Sequence, residues 1–393
     1  MDSIFAFSMP NQESTSISEF DIIVVGAGPG GSTFVHCMAG SGLTIALIDK
    51  ATFPREKVCG DAIPGTAVRV GKSIQPDFWK GLDALHPVRR ARGVSPSGIV
   101  MDLEYVTEGY TCSRLDFDDY LVQTAKTYPG LTTYFGLKTK DVVRSEGMHL
   151  VTLDNGEQLS ARLIIGADGA HSIVARKYTD TKLDRNHHCA AVRAYYRGVE
   201  GIGHDRLTVY FLKDYMPGYF WIFPLEDGLF NAGFGMLSRQ VSENRIDLRN
   251  SLDQIIQEDP QVKQHFENAV QEGKNEGFGL PLGSRNVPRS GDGFMLLGDA
   301  AGLVDPVTGE GIGNAMISAE LAAISAREAF ATNSMDGKLL AAYDRAIIKK
   351  FGSNFRIKYW AQLLLADRPW LIEGLLRFKW SSNLIQWVIK KVV

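Results

Sequence analysis

The fold of this chain is indicated by one stretch of sequence, Asp21-Ile-Ile-Val-Val25 followed by Gly26-Ala-Gly-Pro-Gly-Gly31. Short apolar runs rich in β-branched residues are typical of buried strands, so residues 21–25 are predicted to form one. Three glycines of the loop then have separate tasks. Gly26 permits a tight turn, Gly28 lets the backbone approach a pyrophosphate, and Gly31 lets a following helix pack closely on the strand.

The segment after this loop completes a dinucleotide-binding pattern. A helix is predicted from about Ser32 to Gly40, and its N-terminus offers unpaired N–H groups to phosphate oxygens. A second apolar strand, Leu43 to Ile48, leads to Asp49, which is placed to bind a ribose hydroxyl. A plain glycine-rich turn is the alternative, but the succession of strand, helix, strand and acid favours a binding site. The loop motif occurs once, so one tightly bound dinucleotide is predicted.

The composition of the sequence excludes several classes of protein. The 393 residues are too many for one small core, so two or three lobes are expected. Hydrophobic residues make up 45% and charged residues 22%, a mixture typical of a folded globular protein. The formal charge of -3 argues against a nucleic-acid-binding protein, which needs a basic face. The sequence also lacks the run of about 18 uncharged apolar residues that a membrane-spanning helix requires.

The four cysteines, Cys37, Cys59, Cys112 and Cys189, show neither metal-ligand spacing nor the density of a disulfide scaffold. A reduced, cytoplasmic setting without a metal site is therefore the expectation. Residues 1–19 have no basic segment of the kind that begins a signal peptide, and they are expected to form a flexible leader.

Two later segments each predict a strand that ends in a glycine and an aspartate. Leu163-Ile-Ile165 leads to Gly166-Ala-Asp-Gly169, and Met295-Leu-Leu297 leads to Gly298-Asp299. A carboxylate there can accept hydrogen bonds from ligand hydroxyls, and the small residues let the ligand lie against backbone. The run Pro306 to Asn314 then opens a long predicted helix, whose N-terminus can stabilise negative charge on a ligand.

In this order, these motifs resemble the glutathione-reductase-type flavoproteins of the para-hydroxybenzoate-hydroxylase fold group. The resemblance implies an α/β fold with a glutathione-reductase-type FAD-binding domain, an inserted antiparallel β-sheet substrate domain and a C-terminal helical tail. It also implies tightly bound FAD, with the ADP half on the glycine loop and the ribityl chain on Asp299. The cofactor-binding residues that the resemblance implies are Gly26, Gly28, Gly31, Asp49, Arg114, Asp168, Gly169, Asp299, Gly309, Gly311 and Ile312.

Within that group, three features resemble the geranylgeranyl reductase family, which saturates isoprenoid double bonds. The first is the segment from Phe53 to Asp61, which is similar to the family's Lys-x-Cys-Gly-Gly segment, whose cysteine faces the flavin. Cys59 is therefore the candidate catalytic residue, although a lone cysteine is more often a small buried hydrophobe. Asp61 stands where the family's second glycine occurs, a departure that could alter the pocket.

The second feature is Pro217-Gly-Tyr-Phe-Trp-Ile-Phe-Pro224, which resembles the family's Pro-x-Tyr-x-Trp-x-Phe-Pro lipid-pocket motif. On a strand, Tyr219, Trp221 and Phe223 share one face because side chains alternate. They are the candidate substrate-binding residues, forming an aromatic wall for an apolar chain. The alternative is that this face packs against the protein's own core.

The third feature, from Gly298 to Ile312, resembles the reductases more closely than the aromatic hydroxylases. An NAD(P)H-dependent aromatic hydroxylase and a flavin-dependent halogenase are the alternatives from the same fold group. Halogenases carry a Trp-x-Trp-x-Ile-Pro segment, and residues 219–224 depart from it at the first tryptophan and at the isoleucine. These departures favour the reductase.

The composition changes beyond Lys338, where aromatic and basic residues are mixed, as in residues 355–360 and 375–380. Residues 384–391 predict a short amphipathic helix. Helices of this kind can lie peripherally at a membrane surface. They can equally cap the pocket, with lysine and arginine stems lying over the core. Both interpretations stay open.

The predicted domain organisation follows from these motifs. Strands predicted at 207–212 and 229–236 supply an antiparallel sheet over the substrate. The predicted units are a flexible leader (1–19), a discontinuous FAD-binding domain (20–182 and 281–335), a substrate domain (183–280) and a C-terminal helical region (336–393).

The expected function is FAD-dependent saturation of carbon–carbon double bonds in a geranylgeranyl-type isoprenoid lipid, by hydride transfer from reduced flavin. NADPH or another reductant is the expected electron donor. The expected location is the cytoplasm, with the inner face of the membrane as the alternative. If the substrate carries a charged head group, Arg55 and Lys57 are the candidate basic partners.

Overall fold

The computed structural model describes residues 17–368 and 370–377, and this part of the chain contains sixteen strands and ten α-helices. The strands are β1 (Ile17–Val25), β2 (Ile45–Asp49), β3 (Ala62–Ile63), β4 (His86–Val94), β5 (Val100–Thr111), β6 (Leu131–Phe135), β7 (Thr139–Ser145), β8 (Met148–Leu153), β9 (Gln158–Gly166), β10 (His188–Arg197), β11 (Arg206–Tyr210), β12 (Tyr219–Pro224), β13 (Leu229–Leu237), β14 (Val270–Pro281), β15 (Ser290–Gly291) and β16 (Phe294–Leu296). The helices are α1 (Pro29–Cys37), α2 (Gly65–Ile74), α3 (Arg114–Ala125), α4 (Ile173–Tyr178), α5 (Ser238–Glu243), α6 (Leu248–Glu258), α7 (Ile312–Ala331), α8 (Gly337–Ile347), α9 (Ser353–Asp367) and α10 (Trp370–Arg377).

The first sheet is mostly parallel and has the order β15-β16-β9-β1-β2-β6, with the hairpin β7–β8 joined to β9. The pairs β1–β2, β1–β9, β2–β6 and β9–β16 are all parallel. Residues 22–25 and 45–48 are buried in one core with residues of α1 and α7, such as Phe34 and Met316. Burial on both faces explains why these strands are continuously apolar.

The second sheet has the order β14-β10-β13-β12-β11-β4-β5-β3, and each pair is antiparallel except β4–β11. One of its faces packs on α6 in a separate core. Phe220, Ile222 and Phe234 lie in that core with Leu252 and Ile255 of the helix. The other face is turned towards the edge of the first sheet where the predicted functional residues lie, as described below. Together, the two sheets and the helical C-terminal region confirm the predicted fold class.

Several boundaries differ from those predicted. Helix α1 begins at Pro29, three residues before the predicted start, because proline is well suited to the first helical position. Strand β2 begins at Ile45, two residues after the predicted start at Leu43, and ends in Asp49. The predicted leader is too long, because residues 17–19 pair with β9 as part of β1. Residues 1–16 lie outside the described residues.

The second sheet is larger than the predicted substrate domain. Its strands β3, β4 and β5 come from residues 62–111, which were predicted to belong to the FAD-binding domain. The parallel pairing of β4 with β11 brings Arg90 opposite Arg206. Contacts over such a separation leave no local pattern in the sequence, which is why the prediction missed them.

The C-terminal region contains α8, α9 and α10, with one π-helical turn, Ile348–Gly352, between α8 and α9. The amphipathic helix predicted at residues 384–391 lies outside the described residues. In the described ranges, 17–368 and 370–377, no helix is both long enough and apolar enough to cross a membrane.

Candidate active site

In the glycine loop between β1 and α1, Gly28 is the position where a side chain would have room. A Cβ atom on Gly26 would lie 2.3 Å from the Ala167 carbonyl oxygen, and one on Gly31 would lie 1.9 Å from the Gly26 carbonyl oxygen. Those two glycines are required by the packing of the loop itself. A Cβ atom on Gly28 would instead meet only a guanidinium nitrogen of Arg55, at 3.7 Å. The space in front of Gly28 therefore suits a phosphate group that approaches the backbone.

Asp49 is fixed against this loop by two backbone amides. Its Oδ2 accepts a hydrogen bond from the Ala27 N–H at 2.8 Å, and its Oδ1 accepts one from the Ala51 N–H at 3.0 Å. A carboxylate has about four acceptor positions, so each oxygen retains capacity for a ligand hydroxyl. The arrangement fits the predicted contact with a ribose.

Asp168 follows β9, the parallel neighbour of β1, so it lies at the same sheet edge. Its Oδ2 accepts a hydrogen bond from the Ile173 N–H at 2.6 Å. Its Oδ1 is buried without a hydrogen-bond partner among the described residues. Burial raises the pKa of Asp168, against hydrogen bonds from Ser172 and from backbone N–H groups that lower it. Gly169 next to it has a φ of 77° and open space where a Cβ would lie.

Asp299 and the N-terminus of α7 meet at this edge as well. Strand β16 is parallel to β9 and ends just before Asp299, whose Oδ2 lies 3.7 Å from Lys57 Nζ. A Cβ atom on Gly311 would lie 3.4 Å from Oδ1 of Asp299. Gly309 has a φ of 70°, and Ile312 begins the helix. The three acids and two helix N-termini thus line one edge of the sheet, which fits an extended dinucleotide.

Arg114 is buried and bound to a carboxylate of its own helix. Its Nε and Nη2 donate to the two carboxylate oxygens of Asp118, at 2.7 and 2.6 Å. The Arg55 guanidinium makes a second ion pair with Asp118, at 2.9 Å. Burial raises the pKa of Asp118, but the charge and hydrogen bonds of Arg114, with the charge of Arg55, outweigh it, and the net pKa is lowered. Two cations on one carboxylate leave a net positive charge beside Gly28, favourable for a diphosphate.

The predicted aromatic wall is continuous. The ring centroids of Tyr219 and Trp221 are 6.0 Å apart, and those of Trp221 and Phe223 are 6.2 Å apart. The wall lies against the cysteine segment, because a Cβ atom on Gly60 would be 3.6 Å from both Trp221 and Phe223. The Tyr219 hydroxyl donates to the Thr308 carbonyl oxygen at 2.6 Å, next to Gly309. The opposite face of β12, with Phe220 and Ile222, packs in the second core, and Trp221 of the wall is itself buried.

Asn231, which was not among the predicted site residues, links the wall to the cysteine segment. Its Nδ2 donates to the Cys59 carbonyl oxygen and to Oδ2 of Asp61, both at 2.8 Å. Its Oδ1 accepts a hydrogen bond from Trp221 Nε1 at 2.9 Å. The signal available in the sequence was a polar residue in the apolar strand 229–237. Arg55, beside Gly28, was considered only for a substrate head group.

Comparisons with known proteins identify the family to which this chain belongs. Residues 19–346 match a family model described as an FAD binding domain. The chain belongs to the geranylgeranyl reductase family of FAD-dependent oxidoreductases. It is 29% identical over 345 residues to digeranylgeranylglycerophospholipid reductase of Thermoplasma volcanium, covering 84% of each chain. It is 30% identical over 318 residues to menaquinone reductase of Mycobacterium tuberculosis strain H37Rv, covering 77% of this chain and 75% of the relative.

A solved structure supports the same assignment. The crystal structure of a geranylgeranyl bacteriochlorophyll reductase-like protein from Thermoplasma acidophilum has a TM-score of 0.80 and 28% identity. The match covers 89% of this chain and 88% of that one. The protein is accordingly an FAD-dependent oxidoreductase. The roles of its individual residues remain predictions.

Replacement of Gly28 tests the cofactor assignment. The Gly28→Val variant should fold, since a Cβ has room there and the φ of -73° suits any residue, but its side chain would occupy the space for the pyrophosphate. We expect at least ~10-fold weaker FAD binding, equivalent to about 1.4 kcal/mol. The ratio of flavin to protein absorbance measures it. Gly109→Val, on β5 with its nearest atom at 3.6 Å, is the control. Full FAD occupancy in folded Gly28→Val would contradict the assignment.

Proposed function

We propose that this protein uses FAD to saturate carbon–carbon double bonds of a geranylgeranyl-type isoprenoid lipid. The observation that carries the proposal is the aromatic wall of Tyr219, Trp221 and Phe223, which lies directly against the Cys59–Gly60 segment. An apolar, elongated surface next to a flavin site suits a polyprenyl chain better than one small phenol. The names of the two curated relatives also support a lipid or a quinone as substrate.

The chain's own residues have distinct tasks in this proposal. Gly28 and Arg55 hold the diphosphate, Asp49 holds the ribose, and Asp299 holds the ribityl chain. Bound FAD, once reduced by NADPH or another reductant, supplies a hydride. The aromatic wall orients the prenyl chain and excludes water, which protects the reactive centre from side reactions. Asp168, with one buried unpartnered oxygen, is available to a ligand hydroxyl.

The helix α9 presents an apolar surface that suits a lipid-processing enzyme. Ile357, Trp360 and Leu364 are exposed and share one helix face at spacings of three and four residues. The exposed basic residues Lys349 and Arg356 lie nearby in the chain. Exposed apolar side chains combined with basic ones are typical of helices at an anionic membrane surface. We propose that the protein is cytoplasmic and that α9 binds an anionic membrane surface reversibly. The substrate would then be taken from that membrane.

The nature of the product distinguishes a reductase from the oxygenase alternatives. Pre-reduced protein, kept without oxygen, should convert a polyprenyl lipid into a product richer in hydrogen and unchanged in oxygen. Mass spectrometry of an anaerobic incubation with geranylgeranylated lipids measures the change in mass. A hydroxylase or halogenase must react with oxygen before it acts. A product that appears only with oxygen and carries a new hydroxyl or halogen would overturn the proposal.

Cys59 is tested by a single-atom replacement. If the thiol lies beside the flavin, Cys59→Ser should retain FAD but slow turnover by roughly tenfold, since a hydroxyl is harder and less acidic than a thiol. Flavin content and single-turnover rates are the measurements. The matched control is Cys37→Ser, another free, partly buried cysteine. Unchanged turnover in Cys59→Ser would assign this cysteine to packing alone.

Membrane binding is tested with the exposed tryptophan of α9. Trp360→Ser should bind less to vesicles containing phosphatidylglycerol, because it removes apolar surface that would enter the interface. Co-sedimentation should show a loss of roughly tenfold in partitioning, with FAD content unaffected. Leu183→Ser, another exposed apolar residue, should bind like wild type. Equal vesicle binding by wild type and Trp360→Ser would refute the proposal that α9 binds the membrane.

A further inference from the structure

A buried carboxyl lies two residues after Cys59. Asp61 is fully buried, and its φ of 63° places the backbone in the left-handed region that favours glycine. Aspartate tolerates this conformation better than most residues do. Its backbone carbonyl accepts a hydrogen bond from the Cys112 N–H at 2.9 Å, which fixes the position. The residue that departs from the family's cysteine motif is therefore rigidly held.

The two oxygens of this carboxyl have different surroundings. Oδ2 accepts a hydrogen bond from the Tyr195 hydroxyl and another from Asn231 Nδ2, both at 2.8 Å. Oδ1 is buried without a hydrogen-bond partner among the described residues. An ionised carboxylate with a bare oxygen in the interior costs much more free energy than a protonated carboxyl in the same place.

The cations near Asp61 are engaged elsewhere. Arg114 is held by Asp118, as described above, and Arg193 lies 3.2 Å from Glu276. Arg193 also stacks on the Tyr195 ring, at 4.2 Å from its centroid. Among the described residues, none forms an ion pair with Asp61. Burial raises the pKa of Asp61 to about 6, against Asn231, Tyr195 and the more distant charges of Arg193 and Arg114, which lower it.

Tyr195 connects this carboxyl to the face of the second sheet that carries the aromatic wall. It lies opposite Asn231 in the β10–β13 pairing, and Asn231 lies opposite Phe223 in the β12–β13 pairing. Residues directly opposite in neighbouring strands share one face of the sheet. Tyr195 is half-buried, and its hydroxyl contacts the enclosed Asp61 from the face proposed to bind the prenyl chain.

We propose that Tyr195 and Asp61 together supply the proton that saturation of a double bond requires, with Tyr195 facing the substrate and Asp61 as its proton source. The inference rests on the proposed function. One carbon accepts the hydride of reduced FAD, and the other forms a C–H bond with the Tyr195 hydroxyl proton, using the electron pair of the broken π bond. For this step the hydrogen bond between the two residues reverses, so that a proton on Oδ2 of Asp61 is donated to the tyrosine oxygen as the hydroxyl proton leaves. Water then returns a proton from bulk solvent to Asp61. The alkene thereby gains one hydride and one proton.

Three variants test this assignment. Asp61→Asn keeps the acceptor for Tyr195 and Asn231 and tolerates the left-handed backbone, but an amide cannot release the proton. Tyr195→Phe removes the donor. The control is Tyr196→Phe, the adjacent tyrosine on the opposite face in the second core. We expect single-turnover reduction of a geranylgeranylated lipid by pre-reduced protein to fall at least ~100-fold in the first two variants, the lower range for loss of a general acid. Tyr196→Phe should match wild type.

The pH profile separates proton delivery from a merely structural role. In wild type, the rate should be constant at low pH and fall about tenfold per pH unit above about 6, where Asp61 loses its proton. Burial raises the pKa of its neighbours Tyr195 and Cys112, so both keep their protons over this range. The other titratable or charged groups near Asp61 are Cys59, Arg114 and Arg193. Asp61→Asn should lose this dependence and react slowly at every pH. The assignment would be overturned if Asp61→Asn reacted as fast as wild type. It would also be overturned if Asp61→Asn reacted slowly but still showed the wild-type fall in rate at higher pH.

Thermal unfolding gives a readout independent of activity. The folded protein retains the Asp61 proton up to a pH of about 6, whereas an unfolded chain loses it near 3.9. Wild type should therefore lose stability relative to Asp61→Asn as the pH rises from about 4 to about 6, and the difference should then level off. A difference in Tm that is independent of pH would show that Asp61 is ionised throughout, and would overturn the proposal.

The failures of the two proposals are distinguishable. If wild type adds hydrogen to the lipid and Asp61→Asn does so equally fast, the proton assignment is wrong and the reductase proposal stands. If wild type adds no hydrogen to any geranylgeranylated lipid under anaerobic conditions, the reductase proposal and the proton assignment are both wrong. Flavin absorbance spectra should be the same in wild type and all three variants, since none of these residues is placed at the dinucleotide.

Discussion

The close approach of α1 to β1 is the constraint on which the rest of the structure depends. The strand and the helix can approach this closely only if position 31 is glycine, because a Cβ atom there would lie 1.9 Å from the Gly26 carbonyl oxygen. The approach brings the first N–H groups of α1 to the edge where the parallel strands end. Asp49, Asp168 and Asp299 reach the same edge because neighbouring parallel strands point the same way. One backbone contact thus determines where a dinucleotide can lie.

The second sheet is joined to that edge by the Asn231 side chain, together with the Tyr195–Asp61 and Tyr219–Thr308 hydrogen bonds. Asn231 hydrogen-bonds the cysteine segment, the Asp61 carboxyl and the Trp221 indole at once. Truncating it would remove the partner of the Trp221 indole N–H and of the Cys59 carbonyl oxygen, each at a cost of about 1–3 kcal/mol. The aromatic wall is therefore held in a fixed position against Cys59, which is what the proposed orientation of a long apolar substrate requires.

The two buried carboxyls near this junction have opposite electrostatic surroundings. Asp118 is contacted by both Arg114 and Arg55, so its pKa is lowered and it stays ionised. Asp61 has no cation in contact among the described residues, so burial raises its pKa to about 6. The arrangement places positive charge beside the glycine loop and a proton-holding group beside the aromatic wall. Each suits the chemistry proposed for its side of the site, anion binding on one and proton delivery on the other.

The sequence alone determined the features that depend on short-range rules. The glycine loop, the strand ends at Asp168 and Asp299, and the alternation that places Tyr219, Trp221 and Phe223 on one face all follow from backbone geometry within a few residues. The tertiary structure alone decided which distant segments meet. It added β3, β4 and β5 to the second sheet, and it brought Asp61 to partners 134 and 170 positions away in the chain. Such contacts depend on how whole strands pair, and pairing between distant strands leaves no periodic trace in a single sequence.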